Sequence, residues 1–527
     1  MQNRQDLKSI IPFLPPLKLK SSGTLTWLNT QVTDTLESIS HGCQLDSGKK
    51  LFDAISTIRN SLCLPSEDRL AESTGKGFSI FFEELLPMEE SKNWLKQVIP
   101  RMADLILSLP SLLENHYGNC DHVIDGVSTG LRILEPQQPG VVFLSQEFIA
   151  ALLSCSFFCL FPTVNRMANC MPLINMDSIF ASIHDRYHPK QENKIKCIIH
   201  YFERICSSMP SNFVSFERKV LSMNHNPSVV ALPSYDFWTN SVAPVCEFKV
   251  FPTGLIEDHP AGALEVDFAD PSFGGIVMTM GCLQEEIRFM MNPELIVGML
   301  FLPSMEDNEA IEIVGAERFS NYKGYNSTFQ YDGDHVDRRG LDRFHRRMSK
   351  IIAIDALAMP GTNQYRSKFL LREVNKAFCG FLNHPHYQTQ ECDSNAGVAT
   401  GNWGCGVFGG DPEIKSILQW LAASQASRPF ISYYTFELET LQTLDQVVVE
   451  IVSQKWTVGD LWNRLSNYCS KRLDGQTKSG FFKYLIPSIE QDDSGSSTYY
   501  KCIGANESEF SGVLWSSRNA GNRGGDH

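Results

Sequence analysis

An α/β domain joined to a mainly helical N-terminal half is the fold class this chain predicts, and three observations predict it. Between about residue 90 and residue 225 apolar side chains recur at helical spacing; Trp94, Val98, Met102, Ile106 and Leu109 fall three or four apart and describe one face. Beyond about residue 240 short strand-like runs alternate with helical stretches, the pattern of a substantially parallel sheet covered by helices. One of those runs ends in a carboxylate and a glycine turn that opens onto a helix, which marks the crevice where α/β folds bind ligands.

Taken in order, residues 1–85 are mixed, with turn-rich pieces such as SSGT and ESTGKG, and read as a partly helical extension. Residues 86–235 form the helical domain, in which Ser145 stands at an N-cap position just ahead of FIAALL. The α/β domain spans 236–487. Its strand candidates are 245–251, 263–269, 310–317, 350–357 and 429–436, with helical stretches between them such as LQEEIRFMMNPELIVGML and PEIKSILQWLAASQ. Segment 323–349 is polar and charged and is expected to be a loop plus an exposed helix. Its Arg338, Arg339, Arg343, Arg346 and Arg347, with Lys350, fit a solvated helix face better than polymer binding or nuclear import. Residues 488–527 are polar, rich in Gly and Ser, and expected to be disordered.

Composition narrows the function. The 527 residues carry 46 basic and 60 acidic side chains, a net charge of −14. That balance argues against a nonspecific nucleic-acid binder, which shows a basic excess, and no direct sequence-specific nucleic-acid binding is expected. Phosphates can still be bound by backbone amides and a helix N-terminus, because those donors do not depend on net charge. Fifteen cysteines, an odd number without CxxC pairs, suggest neither a disulfide framework nor a zinc site. His384 and His386 lie two apart in a Pro-containing loop without a clear carboxylate partner, so no metal and no cofactor is expected. No Ser-His-Asp set and no GK[ST] phosphate loop is recognisable. The N-terminus lacks a signal-like apolar core, and the longest nearly apolar run, 148–161, is too short to span a bilayer. A soluble intracellular protein without membrane association is expected.

Residues 266–286 concentrate the chemistry. An apolar strand ends at Asp267, Gly274-Gly275 make a turn, and a helix begins with Gln284-Glu285-Glu286. Glycines let backbone N–H groups approach a phosphate, and a carboxylic acid can protonate a leaving glycosidic oxygen. The pair points to a phosphate-bearing sugar. Adjacent helical side chains diverge by about 100°, so the two glutamates are expected to hold different roles. A second glycine loop, GNWGCGVFGGD (401–411), ends in Asp411-Pro412, an N-cap followed by a first helical turn.

The glycine run followed by Gln-Glu-Glu resembles the signature of the poly(ADP-ribose) glycohydrolase family. GAERFSNYKGY (315–325), KIIAIDAL (350–357), GVATGNWGCGVFGGD (397–411), RPFISYYTF (428–436) and LSQEFIAALLSCSFFCLFP (144–162) extend the likeness over roughly residues 90–485, with wording most similar to the plant members. The resemblance implies a macrodomain over 236–487, a mixed sheet flanked by helices and built around ADP-ribose binding, with 86–235 as its helical accessory domain. It further implies Glu286 as the acid/base, Glu285 as a positioner of ribose hydroxyls, and Asp267 in the acidic cluster that orders them. Diphosphate and proximal ribose then fall to Gly274, Gly275, Gly404, Gly406, Val407 and Phe408, with Gln284 and Asn402 also at the substrate. Tyr325 and Phe436 would hold the adenine.

Three departures from the family pattern bear on this expectation. Ile276 replaces a third glycine: strained if that position needs positive φ, tolerable if only its amide matters. Asp270 stands where macrodomain-type sites commonly carry Asn, near the distal ribose, and an ionised Asp cannot donate. Glu437 replaces a common glycine after Phe436. The implied function is hydrolysis of ribose–ribose O-glycosidic bonds in poly(ADP-ribose), acting on poly(ADP-ribosyl)ated proteins in the nucleus or cytoplasm. A polymer or ADP-ribose reader without hydrolysis is the alternative, and hydrolysis of a smaller ADP-ribose derivative a third.

Overall fold

The computed structural model describes residues 3–488 apart from 43–44, 63, 66–67, 224–228, 260–261 and 384–395, so His384, His386 and the tail from 489 onward lie outside the described residues. A short hairpin of β1 (Leu17–Leu19) and β2 (Leu25–Trp27) opens the chain. The main sheet draws on β3 (Gly140–Ser145), β4 (Phe213–Val220), β5 (Glu247–Phe251), β6 (Leu264–Ala269) and β7 (Glu309–Val314). After a second hairpin, β8 (Ser320–Lys323) with β9 (Gln330–Asp334), it is completed by β10 (Lys350–Asp355), β11 (Val398–Gly401) and β12 (Phe430–Tyr434).

The eight strands lie in the order β3-β4-β7-β10-β6-β11-β12-β5. β10, β6, β11, β12 and β5 run parallel, whereas β7, β4 and β3 continue the sheet by antiparallel pairing. A mixed sheet results, buried on both faces. Alternation along β6 shows how: Leu264 and Val266 enter one core with the helices Ser367–Phe381, Pro412–Gln425 and Val458–Leu473, while Glu265 and Asp267 face the opposite side with the helix Gln284–Met291. The second core joins the N-terminal helices to β3, β4 and β7 through Val142, Leu144, Val214, Phe216, Ile311 and Ile313.

The helical half follows its pattern. Trp94, Val98, Met102, Ile106 and Leu109 are all buried. The Ser145 hydroxyl caps the helix Gln146–Phe157 by accepting from the Phe148 amide at 3.2 Å. That helix is buried almost throughout, and no helix among the described residues is long and apolar enough to cross a membrane. Residues 1–85 supply the helices Thr30–Ser40 and Gly48–Ser61, whose apolar faces pack into the same core.

Residues 86–235 are mainly helical and also contribute β3 and β4, which pair with each other and, through β4, with β7 of the α/β half. One expectation is corrected. The stretch 335–349 forms no helix. Arg338 and Arg343 are exposed, but three of its arginines are tied down by acids instead of lying on a solvated face. Arg339 bonds Asp337 and Glu265, Arg347 bonds Glu317, and Arg346 bonds Asp342 and the Ser215 hydroxyl. Each described cysteine is free, and all but Cys170 and Cys246 are buried.

Candidate active site

The parallel strands β10, β6, β11 and β12 end side by side, so the loops at their carboxyl ends share one edge of the sheet. Every candidate residue except Tyr325 lies at a strand end, in one of these loops, or on the helix that follows β6. Registered pairing of β6 with β11 stops at Glu265. Just beyond, the Gln284 side chain accepts from the Phe268 amide at 2.8 Å and donates to the Val266 carbonyl at 3.0 Å, pinning the start of its helix to the strand. Both ends of this amide are therefore committed to backbone.

The two glutamates separate in their bonding. Glu285 Oε1 accepts from the Gly274 amide at 2.7 Å and its Oε2 from the Asp270 amide at 2.9 Å, so this carboxylate staples the turn closed. Glu286 Oε2 reaches back to the Leu283 amide at 2.7 Å, half of a capping box. Its other oxygen, Oε1, makes no hydrogen bond within the described chain and lies against Gly275 and Gly281. A Cβ on Gly275 would stand 2.8 Å from Glu285 Oε2 and 3.1 Å from Glu286 Oε1, so the glycine is required by both carboxylates as well as by its φ of +51°.

Asp267 is buried at the end of β6, and neither of its oxygens has a hydrogen-bond partner among the described residues. Burial pushes its pKa up to about 7, opposed by the Arg288 charge and reinforced by Glu286. Asp270 is pushed up to about 6, again chiefly by burial, while its Oδ1 accepts from the Ser272 amide at 2.8 Å. Glu285 is raised further, by burial and by the charges of Asp267, Glu286 and Asp270. These three raised carboxyls crowd one site beside Glu286.

Ile276 does not occupy the left-handed region, whereas Gly274 has φ +90°. The strain that a β-branched residue would suffer there does not arise. The Gly274 amide points to Glu285 and the Gly275 amide to the Ser272 carbonyl at 2.8 Å, leaving the Ile276 amide without a partner in the described chain.

The second loop is braced from below. Gly404 has φ +73°, and a Cβ on it would meet Ala356 at 2.5 Å and Lys415 Nζ at 3.0 Å. Trp403 donates to the Ile354 carbonyl at 2.9 Å, and the Lys415 ammonium lies 4.0 Å from its ring centre while pairing with Glu373. Asp411 caps the next helix by accepting from the Glu413 amide at 3.0 Å. The amides of Gly406, Val407 and Phe408 make no hydrogen bond within the described chain. Asn402 bonds the Thr435 carbonyl and the Tyr433 hydroxyl, which ties the loop to the end of β12.

Of the two aromatics, Phe436 is 54% exposed and lines a shallow groove with Pro252, Thr253, Gly254, Leu255 and Glu437. Phe436 and Glu437 both have positive φ, 51° and 53°. The Tyr325 ring is half exposed, but its hydroxyl end lies beside the Gln284 amide and Glu286, and burial there raises its pKa. Tyr325 comes from the turn after β8, which is held to the first loop by the Asn326 amide and the Cys282 carbonyl at 3.1 Å.

One residue outside the candidates meets the same loop. Lys194, on the helix Pro189–Ser207, is fully buried and donates to three loop carbonyls. Its only sequence signal is a lysine standing in line with the apolar positions Ile198, Tyr201 and Ile205.

Comparison with known proteins places the chain in a family. A family model described as poly(ADP-ribose) glycohydrolase, macro domain fold, matches residues 235–443, and one described as the helical domain of the same family matches residues 86–218. Poly(ADP-ribose) glycohydrolase 1 of Arabidopsis thaliana is 48% identical, the match covering 93% of this chain and 98% of the relative. Probable poly(ADP-ribose) glycohydrolase 2 of the same plant is 49% identical over 93% of this chain and 100% of its own. A Caenorhabditis elegans poly(ADP-ribose) glycohydrolase 1 is 34% identical over 52% of this chain and 35% of the relative. With nearly full-length likeness to the plant proteins and both domain models matched in order, the chain belongs to the poly(ADP-ribose) glycohydrolase family.

Proposed function

We propose that this protein hydrolyses ribose–ribose O-glycosidic bonds in poly(ADP-ribose) and releases ADP-ribose, with Glu286 as its acid/base. The observation that carries the reading is the contrast between the glutamates: Glu285 spends both oxygens on backbone amides, while Glu286 keeps Oε1 uncommitted beside the glycine turn. In this mechanism the Glu286 carboxyl gives its proton to the leaving ribose oxygen as an oxocarbenium-like ribose forms. The resulting carboxylate then takes a proton from the water that attacks the anomeric carbon. Asp267 and Glu285 order the turn and the ribose, and Asp270 shapes the approach to the distal ribose. The uncommitted amides of Ile276, Gly406, Val407 and Phe408 cradle the diphosphate, with Gly274, Gly275 and Gly404 giving the loops their path and Gln284 and Asn402 holding them in place. Tyr325 and Phe436 pack the adenine. Residues 86–235 and 236–487 act as accessory and catalytic domains on poly(ADP-ribosyl)ated proteins of the nucleus or cytoplasm.

The test is ADP-ribose release from purified polymer by the natural chain and by Glu286→Gln. Turnover is expected to fall about 10²–10⁴-fold in the variant, the usual contribution of a general acid, with ADP-ribose affinity within a few-fold. No release by the natural chain, with ADP-ribose still bound, would make it a reader of the polymer. Loss of binding in Glu286→Gln would instead assign that residue a structural role.

A further inference from the structure

We propose that Lys194, contributed by the helical half, is a positioning residue for the catalytic loop, an inference that rests on the function proposed above. Its Nζ donates to the carbonyls of Val277 at 2.6 Å, Thr279 at 2.9 Å and Gly281 at 2.6 Å. An ammonium has three N–H donors, and all three are used on alternate residues of one short segment. Lys194 is fully buried, and all of its hydrogen bonds among the described residues go to backbone carbonyls. Keeping a charge there is costly, and burial lowers its pKa to about 8. An apolar side chain would remove that cost only by leaving three loop carbonyls without a donor.

The clamp reaches the chemistry through one neighbour. Glu286 Oε1 lies 2.7 Å from where a Cβ on Gly281 would stand, so the clamped Gly281 backbone forms the wall beside the proposed acid's uncommitted oxygen. The same end of the helix makes two more contacts. Gln191 bonds Met280 of the loop, and Lys190 Nζ reaches the Asn326 side chain at 3.4 Å, next to Tyr325. One helix end thus sets the loop that carries the diphosphate contacts and touches the turn that carries an adenine contact. Displacement of the loop by about 1 Å is enough to cost up to about a hundredfold in rate.

The experiment compares the natural chain, Lys194→Met, Lys194→Gln and Ile55→Ala, the last removing buried apolar volume from the helix Gly48–Ser61 in the helical half. Polymer turnover, ADP-ribose Kd and thermal midpoint are measured at a temperature where each chain is folded. Lys194→Met is expected to lower kcat about tenfold or more and to weaken ADP-ribose binding severalfold. Lys194→Gln, with two of three donors kept, should fall between it and the natural chain, and it carries the test if the Met variant does not fold. Ile55→Ala should lower the thermal midpoint while leaving kcat and Kd unchanged. A Lys194 variant that loses thermal stability yet keeps kcat and Kd within twofold would overturn the inference and leave the proposed function standing. Absence of turnover in the natural chain would count against the proposed function itself.

Discussion

Asp267 is a site residue whose surroundings set a pH dependence of stability. Burial lifts its carboxyl to about 7, so the folded chain holds that proton more tightly than the unfolded chain, whose Asp titrates near 3.9. The stability it contributes is complete below the unfolded value and is lost as pH rises through about 7. Asp270, raised to about 6, adds in the same direction. An Asp267→Asn chain cannot ionise there, so its thermal midpoint should exceed that of the natural chain by a few degrees at pH 8, with the gap narrowing toward pH 5. Thermal denaturation of both chains at the two pH values measures this, and an equal gap at both would show that Asp267 does not titrate as proposed. The residue is kept at a cost to stability, which fits a carboxyl retained for the ribose rather than for the fold.

At the scale of elements, the turn after β12 holds Phe436 and Glu437 both in the left-handed region, fixed by the Glu437 amide bonding the Pro252 carbonyl at 3.0 Å. A side chain in that region costs roughly 1–2 kcal/mol, offset in part by the roughly 0.5–1 kcal/mol that glycine loses in conformational entropy. Glu437→Gly should therefore stabilise the chain by about 0.5–1 kcal/mol without changing turnover, read as a higher midpoint in denaturant; a lower midpoint would mean that the Glu437 side chain holds the turn. This position was legible in the sequence as a departure from a common glycine, and so were the five strand candidates, because apolar runs bounded by turns need no long-range information. β3 and β4 were not legible, since GVVFLS and FVSFERKV sit among helices and only their pairing with each other and, through β4, with β7 makes them strands. Arg339 and Arg347 of 335–349 were misread for a related reason. Charge patterning shows a polar face, but Glu265 and Glu317, which neutralise Arg339 and Arg347, come from other parts of the chain. In the site, the glutamate pair and both glycine loops were readable from order and type. The inward aim of the Gly274 amide was not, because it depends on where the Glu285 carboxylate lies.

For the whole molecule, the sheet itself argues that the two halves are one folding unit. β4 lies between β3 and β7, so removing the residues before 235 would leave β7 as a new sheet edge and strip the cover from Ile311 and Ile313. It would also delete Arg218, which is fully buried and pairs with the equally buried Glu309 on β7. Glu309 would lose both that charge partner and its bonds from Gln137. The three carbonyls held by Lys194 would lose their donor in the same cut. A chain spanning 235–488 is therefore expected to be insoluble or to melt without a cooperative transition, even though it contains every residue assigned to the site except the Lys194 clamp. Expression of that fragment beside the full chain, followed by calorimetry and ADP-ribose titration, decides the matter. A soluble fragment with a sharp transition and intact ADP-ribose affinity would show that the helical half is an attachment; its absence would make the helical half part of the structure that holds the catalytic loop in place.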